Sequence, residues 1–351
     1  QSPIPNPQSP IPNPQWIIFD NKIKILIFIL TYIINFLIIF LLKHERIKMF
    51  IYKYTLIMEH FNSLLDLSIK DPTAITIGKF DGIHKGHHLL TSDLISKKSE
   101  GLNACIITFK NSPRFSLTKD ETPSLFTNIE KEYILEQNGI NYLISCPFDK
   151  KFMQIEATKF IEILCKNLNM KYLVVGTDFT FGYKKSGNVE LLKKISGDYG
   201  FELKIIDKLK KDDRDISSSY IREELMKGNL DIVNEMLGYE YFIFGEVINI
   251  GEFPKNKFGN PIIIIPPKNK LIPKFGYYIT RIIYDKKKFK AITHIGENLF
   301  NWNNGKSENN VIIDSYIFDY EHDLYGKSIT INFEKLIGDK IKFDTIEEFK
   351  E

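Results

Sequence analysis

Between Thr73 and Gly176 the chain alternates short β-branched runs with stretches of helical period. Thr73-Ala-Ile-Thr-Ile77 closes on Gly78, and Tyr172-Leu-Val-Val175 closes on Gly176. Ala104–Phe109 and Tyr142–Ser145 complete four predicted strands, each apolar on both faces. Helices are predicted from the turn near Lys85 to Lys97, with Leu90, Leu94 and Ile95 on one face, and again over Glu130–Gln137 and Ala157–Leu168. Strands buried on both faces and separated by helices make a parallel α/β sheet with right-handed crossovers. Ligands on such sheets sit at the carboxyl ends of the strands, where both glycine turns fall.

The first of those turns, Ile77-Gly-Lys-Phe-Asp-Gly-Ile-His-Lys-Gly-His-His-Leu-Leu90, holds three of the seven histidines in the chain. Three readings stand for His84, His87 and His88. As metal ligands they would have to converge, but neighbours on a helix diverge by about 100°, and Asp81 is the one carboxylate close by. No metal site is expected. As core histidines they would occupy a glycine-framed loop, a poor place to bury imidazoles. As a phosphate grip they fit better. Glycine lets the backbone approach a ligand, a helix starting near Lys85 offers free N–H groups and a positive end, and imidazoles donate to phosphoryl oxygens.

The spacing His84-Lys85-Gly86-His87 resembles the HxGH signature of the nucleotidyltransferase superfamily. Val174-Val-Gly-Thr-Asp-Phe-Thr-Phe-Gly182 looks like the strand–loop signature of the bacterial FAD synthetases, and Ile216-Ser-Ser-Ser-Tyr-Ile-Arg222 like their ISSTxIR motif. The serines Ser217 to Ser219 are also good caps for a helix from Tyr220 to Lys227, ended by Gly228. The resemblance implies a Rossmann-like HxGH domain that transfers AMP from ATP to FMN, giving FAD and pyrophosphate, with Mg²⁺ accompanying ATP. It implies that His84 and His87 stabilise the α-phosphate and the leaving pyrophosphate. Gly78, Phe80, Gly82 and Gly176 then shape the nucleotide site, with Asp178 on the following loop, while Ser217, Ser218 and Arg222 hold the polyphosphate. His88 is a bystander. The family often carries Pro-His-Pro after its second strand; Phe109-Lys-Asn-Ser-Pro-Arg114 keeps one proline and lacks the histidine, leaving the flavin side unassigned.

Beyond Gly238 the pattern shifts to short strands separated by turns: Phe242–Ile248, Pro261–Ile265, Gly276–Tyr284, Phe289–His294, Val311–Asp319 and Ser328–Phe333. Such a series predicts a small antiparallel β-barrel. Its order resembles the riboflavin kinase domain that follows the adenylyltransferase in bifunctional FAD synthetases, with Asp319-Tyr-Glu-His-Asp-Leu-Tyr-Gly-Lys327 and Lys342–Phe349 matching well. The family's GFPTAN segment, whose Thr and Asn serve magnesium–ATP, stands here as Gly259-Asn-Pro-Ile-Ile-Ile264, and isoleucine can coordinate nothing. The kinase's general-base Glu falls at Asp314, shorter by one methylene, about 1.5 Å. The barrel therefore reads as a kinase fold without its phosphate site; the alternatives are a working bifunctional enzyme and a flavin-binding protein without turnover.

Residues 1–57 differ from the rest. QSPIPNP is repeated twice, and Ile25–Leu42 runs eighteen residues without a charge, long enough to span a membrane. Either this is an anchor, with the basic residues after it placing the bulk of the chain in the cytoplasm, or translation starts at Met49 or Met58 and the span is absent. The expected organisation is thus an extension over 1–57, an adenylyltransferase domain over 58–238 and a kinase-like barrel over 239–351. A net charge of +3 gives no nucleic-acid partner, and the unpaired Cys105, Cys146 and Cys165 suit a reducing, cytoplasmic setting.

Overall fold

The computed structural model describes residues 58–110, 122–248, 261–267, 269–297, 311–318, 320 and 323–339. The apolar run at 25–42 and the segment 111–121 on the expected flavin side lie outside these residues, as do Gly259 and Asn260. Among the described residues no helix is long and apolar enough to cross a membrane.

In the first half, strands β1 (Glu59–Phe61), β2 (Thr73–Ile77), β3 (Asn103–Phe109), β4 (Tyr142–Cys146), β5 (Met170–Gly176) and β6 (Glu202–Ile206) form one sheet. Its order is β1-β4-β3-β2-β5-β6 and every pairing is parallel. The crossovers are helices α1 (Lys85–Ser96), α2 (Asn128–Gln137), α3 (Ala157–Leu168) and α4 (Val189–Tyr199), followed by α5 (Ser218–Lys227) and α6 (Leu230–Leu237). The central strand β2 is buried throughout, and its alternating residues feed opposite cores. Ala74 joins Leu94, Ile106 and Val174 on one face, whereas Ile75 and Ile77 join Ile107, Leu173 and Val175 on the other. Connections leave β2 toward β3 and leave β5 toward β6, in opposite directions. The gap between the carboxyl ends of β2 and β5 is therefore the switch point where such sheets take ligands.

The second half is a curled antiparallel sheet of β7 (Tyr241–Glu246), β8 (Ile262–Ile264), β9 (Gly276–Tyr284), β10 (Lys287–Glu297), β11 (Val311–Ile317) and β12 (Ser328–Gly338), in the order β7-β12-β9-β10-β11-β8. A bridge closes the circle: Ile248, just past β7, donates its N–H to Ile263 O on β8 at 2.9 Å. The predicted barrel is present, with all six expected strands in antiparallel pairing.

One core joins the halves. Leu125, Phe126, Ile134, Leu237, Tyr241, Tyr278 and Phe333 belong to a single buried cluster. Each such aromatic or aliphatic side chain contributes about 1.5–3 kcal/mol through burial. At its centre Lys270 and Glu130 form a 2.9 Å ion pair with both side chains at 0% exposure. The Glu130 carboxylate also accepts from Thr127 N, completing the cap of α2, and from Phe244 N on β7. The Lys270 ammonium lies 4.2 Å from the centre of the Phe126 ring and donates to Phe242 O. Burial pulls its pKa down to about 8, with Glu130 opposing that shift.

Candidate active site

The turn after β2 is built from strained backbone. Phe80 (φ +49°) and Ile83 (φ +34°) sit in the left-handed region, at a cost of order 1–3 kcal/mol each. Gly82 at φ +96° meets that demand without strain, and a Cβ there would strike Leu125 at 2.8 Å. The outcome is a loop that delivers His84 as the N-cap of α1, in extended conformation and with no side-chain cap. Gly86 is required for a second reason. A Cβ there would meet the His84 ring at 3.2 Å, so glycine lets the imidazole lie over the first helical turn.

His84 and His87 stack with ring centres 3.9 Å apart, and Phe80 continues the stack at 4.8 Å from His87. Burial pushes the His84 pKa down to about 4, helped by His88 and opposed by Asp81. Burial, with His84 and His88 adding, holds His87 well below its ordinary value. Both rings are therefore neutral at neutral pH. The Nδ1 atom of each is enclosed without a hydrogen-bond partner. A bare acceptor tolerates enclosure better than an orphaned N–H, so the proton belongs on Nε2, the nitrogen left to a ligand. His88 packs edge-on against Tyr239, 5.9 Å between centres.

Phe80, His84 and His87 line a cavity of about 400 Å³ at the switch point. Its wall brings together Gly78, Phe80, His84, His87, Gly176, Asp178, Ser217 and Ser218 from the residues expected of the sequence. Ser217 caps α5 by accepting from Tyr220 N, which aims the start of that helix, with Ser219, at the same space. Two helix N-termini thus converge on one cavity, an arrangement suited to anions.

Gly82 and Arg222 do not line it. The Arg222 guanidinium instead donates to Asp81 Oδ2 and to Pro123 O. Asp81, at 2% exposure, also accepts from Leu125 N at 2.9 Å, and its carbonyl accepts from Ser218 Oγ. The expectation that Arg222 holds polyphosphate thus meets a guanidinium already committed to an internal strut, because residues 218 and 222 share the face of α5 that packs on the turn. Conversely, the cavity includes Asp207, Lys208 and Asp215, which sequence reasoning passed over. Asp207 and Lys208 directly follow β6, whose Glu-Leu-Lys-Ile-Ile sequence lacks a strand signature of its own; its parallel pairing on β5 puts its carboxyl end at the site, and Asp215 comes just before α5.

In the barrel, Asp314 lies on β11, buried, with Ile263 of β8 opposite it on one side and His294 of β10 on the other. His294 Nδ1–H donates to Asp314 Oδ1 at 2.9 Å, and its ring stacks on Tyr277 at 4.5 Å.

A family model described as FAD synthetase matches residues 66–220, and one described as riboflavin kinase matches 237–351. The bifunctional riboflavin kinase/FMN adenylyltransferase of Buchnera aphidicola subsp. Acyrthosiphon pisum is 32% identical over 287 residues, covering 80% of this chain and 90% of that protein. The protein of the same description from Escherichia coli K12 is 28% identical, covering 79% and 88%. A crystal structure from Streptococcus pneumoniae, described as a macrolide-efflux protein, shares the fold with a TM-score of 0.70 at 24% identity, over 84% of this chain and 95% of that one.

Proposed function

Since the chain belongs to the bacterial FAD synthetases, the bifunctional riboflavin kinase/FMN adenylyltransferases, we propose that adenylyl transfer takes place in the cavity between β2 and β5, within residues 58–238. The enzyme makes FAD from FMN and ATP. An FMN phosphate oxygen forms a bond to the α-phosphorus of ATP as the bond to the β-bridging oxygen breaks, and pyrophosphate leaves.

The observation that carries the assignment to this cavity is the stacked pair His84 and His87, neutral and enclosed on their Nδ1 side. Neutral imidazoles with the proton on Nε2 donate to the α-phosphoryl oxygens and to the leaving group without delivering a proton. Held rigid by Phe80 and by Gly86, they need no reorganisation as charge develops, the condition under which such donors contribute most. The free N–H groups at the starts of α1 and α5 add fixed positive potential. Mg²⁺ enters with ATP and, when bound, neutralises phosphate charge. Asp178, Asp207 and Asp215 offer the hard oxygens it takes.

Riboflavin phosphorylation by residues 239–351 is the second reading, favoured by the buried Asp314 held by His294. Against it stands β8, where Ile262 to Ile264 run beside Asp314 without a side-chain oxygen. The test is to incubate the full chain with ATP and either FMN or riboflavin and to identify the flavins and pyrophosphate. FAD from FMN, with no FMN from riboflavin, is the expected result; no FAD from FMN would remove adenylyl transfer from this cavity.

A further inference from the structure

The cavity has a charge problem. Among its described lining residues Asp178, Asp207 and Asp215 carry negative charge, His84 and His87 are neutral, and Lys208 is the one lysine or arginine. The guanidinium of Arg222, which the motif would have supplied, is bound to Asp81 and Pro123. Into this space a nucleoside triphosphate brings about four negative charges, of which its Mg²⁺ offsets two, on top of the three aspartates. Two helix ends, each worth about half a charge, do not balance them.

Lys208 stands two residues beyond β6, at the carboxyl edge of the sheet. Its ammonium is 2.8 Å from Asp178 Oδ2 and 3.3 Å from Asp215 Oδ2. Asp178 follows the end of β5, and Asp215 lies two residues before the N-cap of α5. The lysine is therefore slung between the loop after β5 and the N-terminus of α5. All three side chains are substantially exposed, at 41%, 69% and 43%. Exposed pairs of this kind are weak, so a phosphate can take the ammonium at little cost. A buried pair such as Lys270 with Glu130 could not be exchanged in this way.

We propose that Lys208 is the cation that grips the polyphosphate of ATP in this active site. In the free enzyme Asp178 and Asp215 hold it at the cavity rim, charged and extended. When ATP enters, the ammonium passes to the β- and γ-phosphate oxygens beside the start of α5, and it then steadies the pyrophosphate as it leaves. The proposal rests on adenylyl transfer occurring in this cavity.

The test uses the full chain with Lys208→Gln, which stays polar but loses the charge, and Lys208→Arg, which keeps charge. KM for ATP and for FMN, inhibition by pyrophosphate, and equilibrium binding of ATP by calorimetry are measured for each. Loss of one charge-assisted contact predicts an ATP KM, a pyrophosphate inhibition constant and an ATP Kd each raised about 10- to 100-fold in Lys208→Gln, with partial recovery in Lys208→Arg and the KM for FMN within about twofold of normal. Unchanged ATP and pyrophosphate constants would make the lysine a surface ion pair and overturn the proposal. A raised KM for FMN alone would overturn it too, placing the ammonium on the flavin phosphate. Binding of ATP is read without turnover, so a chain that makes no FAD defeats the adenylyl-transfer reading while the Kd comparison still decides the role of Lys208.

Discussion

Asp81 and Asp314 are both buried aspartates held by a nitrogen donor, one in each half of the molecule, yet their surroundings differ sharply. Asp81 is locked by the Arg222 guanidinium and the Leu125 amide, and it stands behind a turn that presents two imidazoles to a cavity. Asp314 is held by His294, and the neighbouring strand shows it isoleucines. A buried carboxylate with a partner is thus no signature of catalysis in itself. What surrounds each carboxylate differs: imidazoles and helix ends beside Asp81, Ile263 of β8 and His294 of β10 beside Asp314.

The largest expected effect is on the chemistry of the first half. His87→Ala should lower the rate of FAD formation by at least about 10²- to 10³-fold, with circular dichroism and melting temperature close to those of the unmodified chain. If FAD is still made at the normal rate, the contrast between the halves loses its catalytic basis. Next comes the cost of freeing each aspartate, measured by urea unfolding. Arg222→Ala leaves Asp81, at 2% exposure, with only the Leu125 amide and Lys79 at 3.5 Å as partners and should destabilise by about 2 kcal/mol. His294→Ala removes one hydrogen bond to Asp314 and the stack on Tyr277 from a ring that is 31% exposed, and should cost about 1 kcal/mol. Equal costs would erase the distinction between a strut and a simple pair. If Arg222→Ala instead left stability unchanged and weakened ATP binding, Arg222 would return to the polyphosphate.

The last effect is confined to acid pH. His84 has a folded pKa of about 4 against 6.5 unfolded, so between those values the unfolded chain binds more protons. Stability is therefore full above pH 6.5 and declines as pH falls toward 4, by of order 1–3 kcal/mol for this one group. Unfolding free energies measured across that window should fall less steeply in His84→Asn. An identical slope in the variant would mean that the ring is more hydrated than its enclosure implies.

Much of this was legible in the chain itself. The strands β2, β3 and β5 announce themselves by β-branched runs, and the turn between β2 and α1 by its glycines, because those features answer local demands of burial and backbone. The edges were harder. Glu59-His-Phe61 has no alternating apolar pattern and becomes a strand only by pairing with β4. Glu202–Ile206 carries two charges because it pairs on one side alone, with β5. Missing β6 hid Lys208, whose place at the site depends wholly on where that strand ends. The motif put Arg222 on the right helix but could not say which way its face turned. One clue was available: an aspartate set between glycines in a buried turn needs a cation, and Arg222 answers it.

The enclosed pair of Lys270 and Glu130 has a consequence for inheritance. Glu130 belongs to the helix layer of the first half, yet its carboxylate is neutralised by Lys270 and holds the amide of Phe244, both from the second. A lineage that no longer needed the barrel's chemistry could let β8 drift to isoleucine at little cost. Deleting the barrel is another matter, since it would leave a carboxylate facing an apolar surface stripped of its cover. The shared core thus ties the folding of each half to the presence of the other, whatever chemistry each performs.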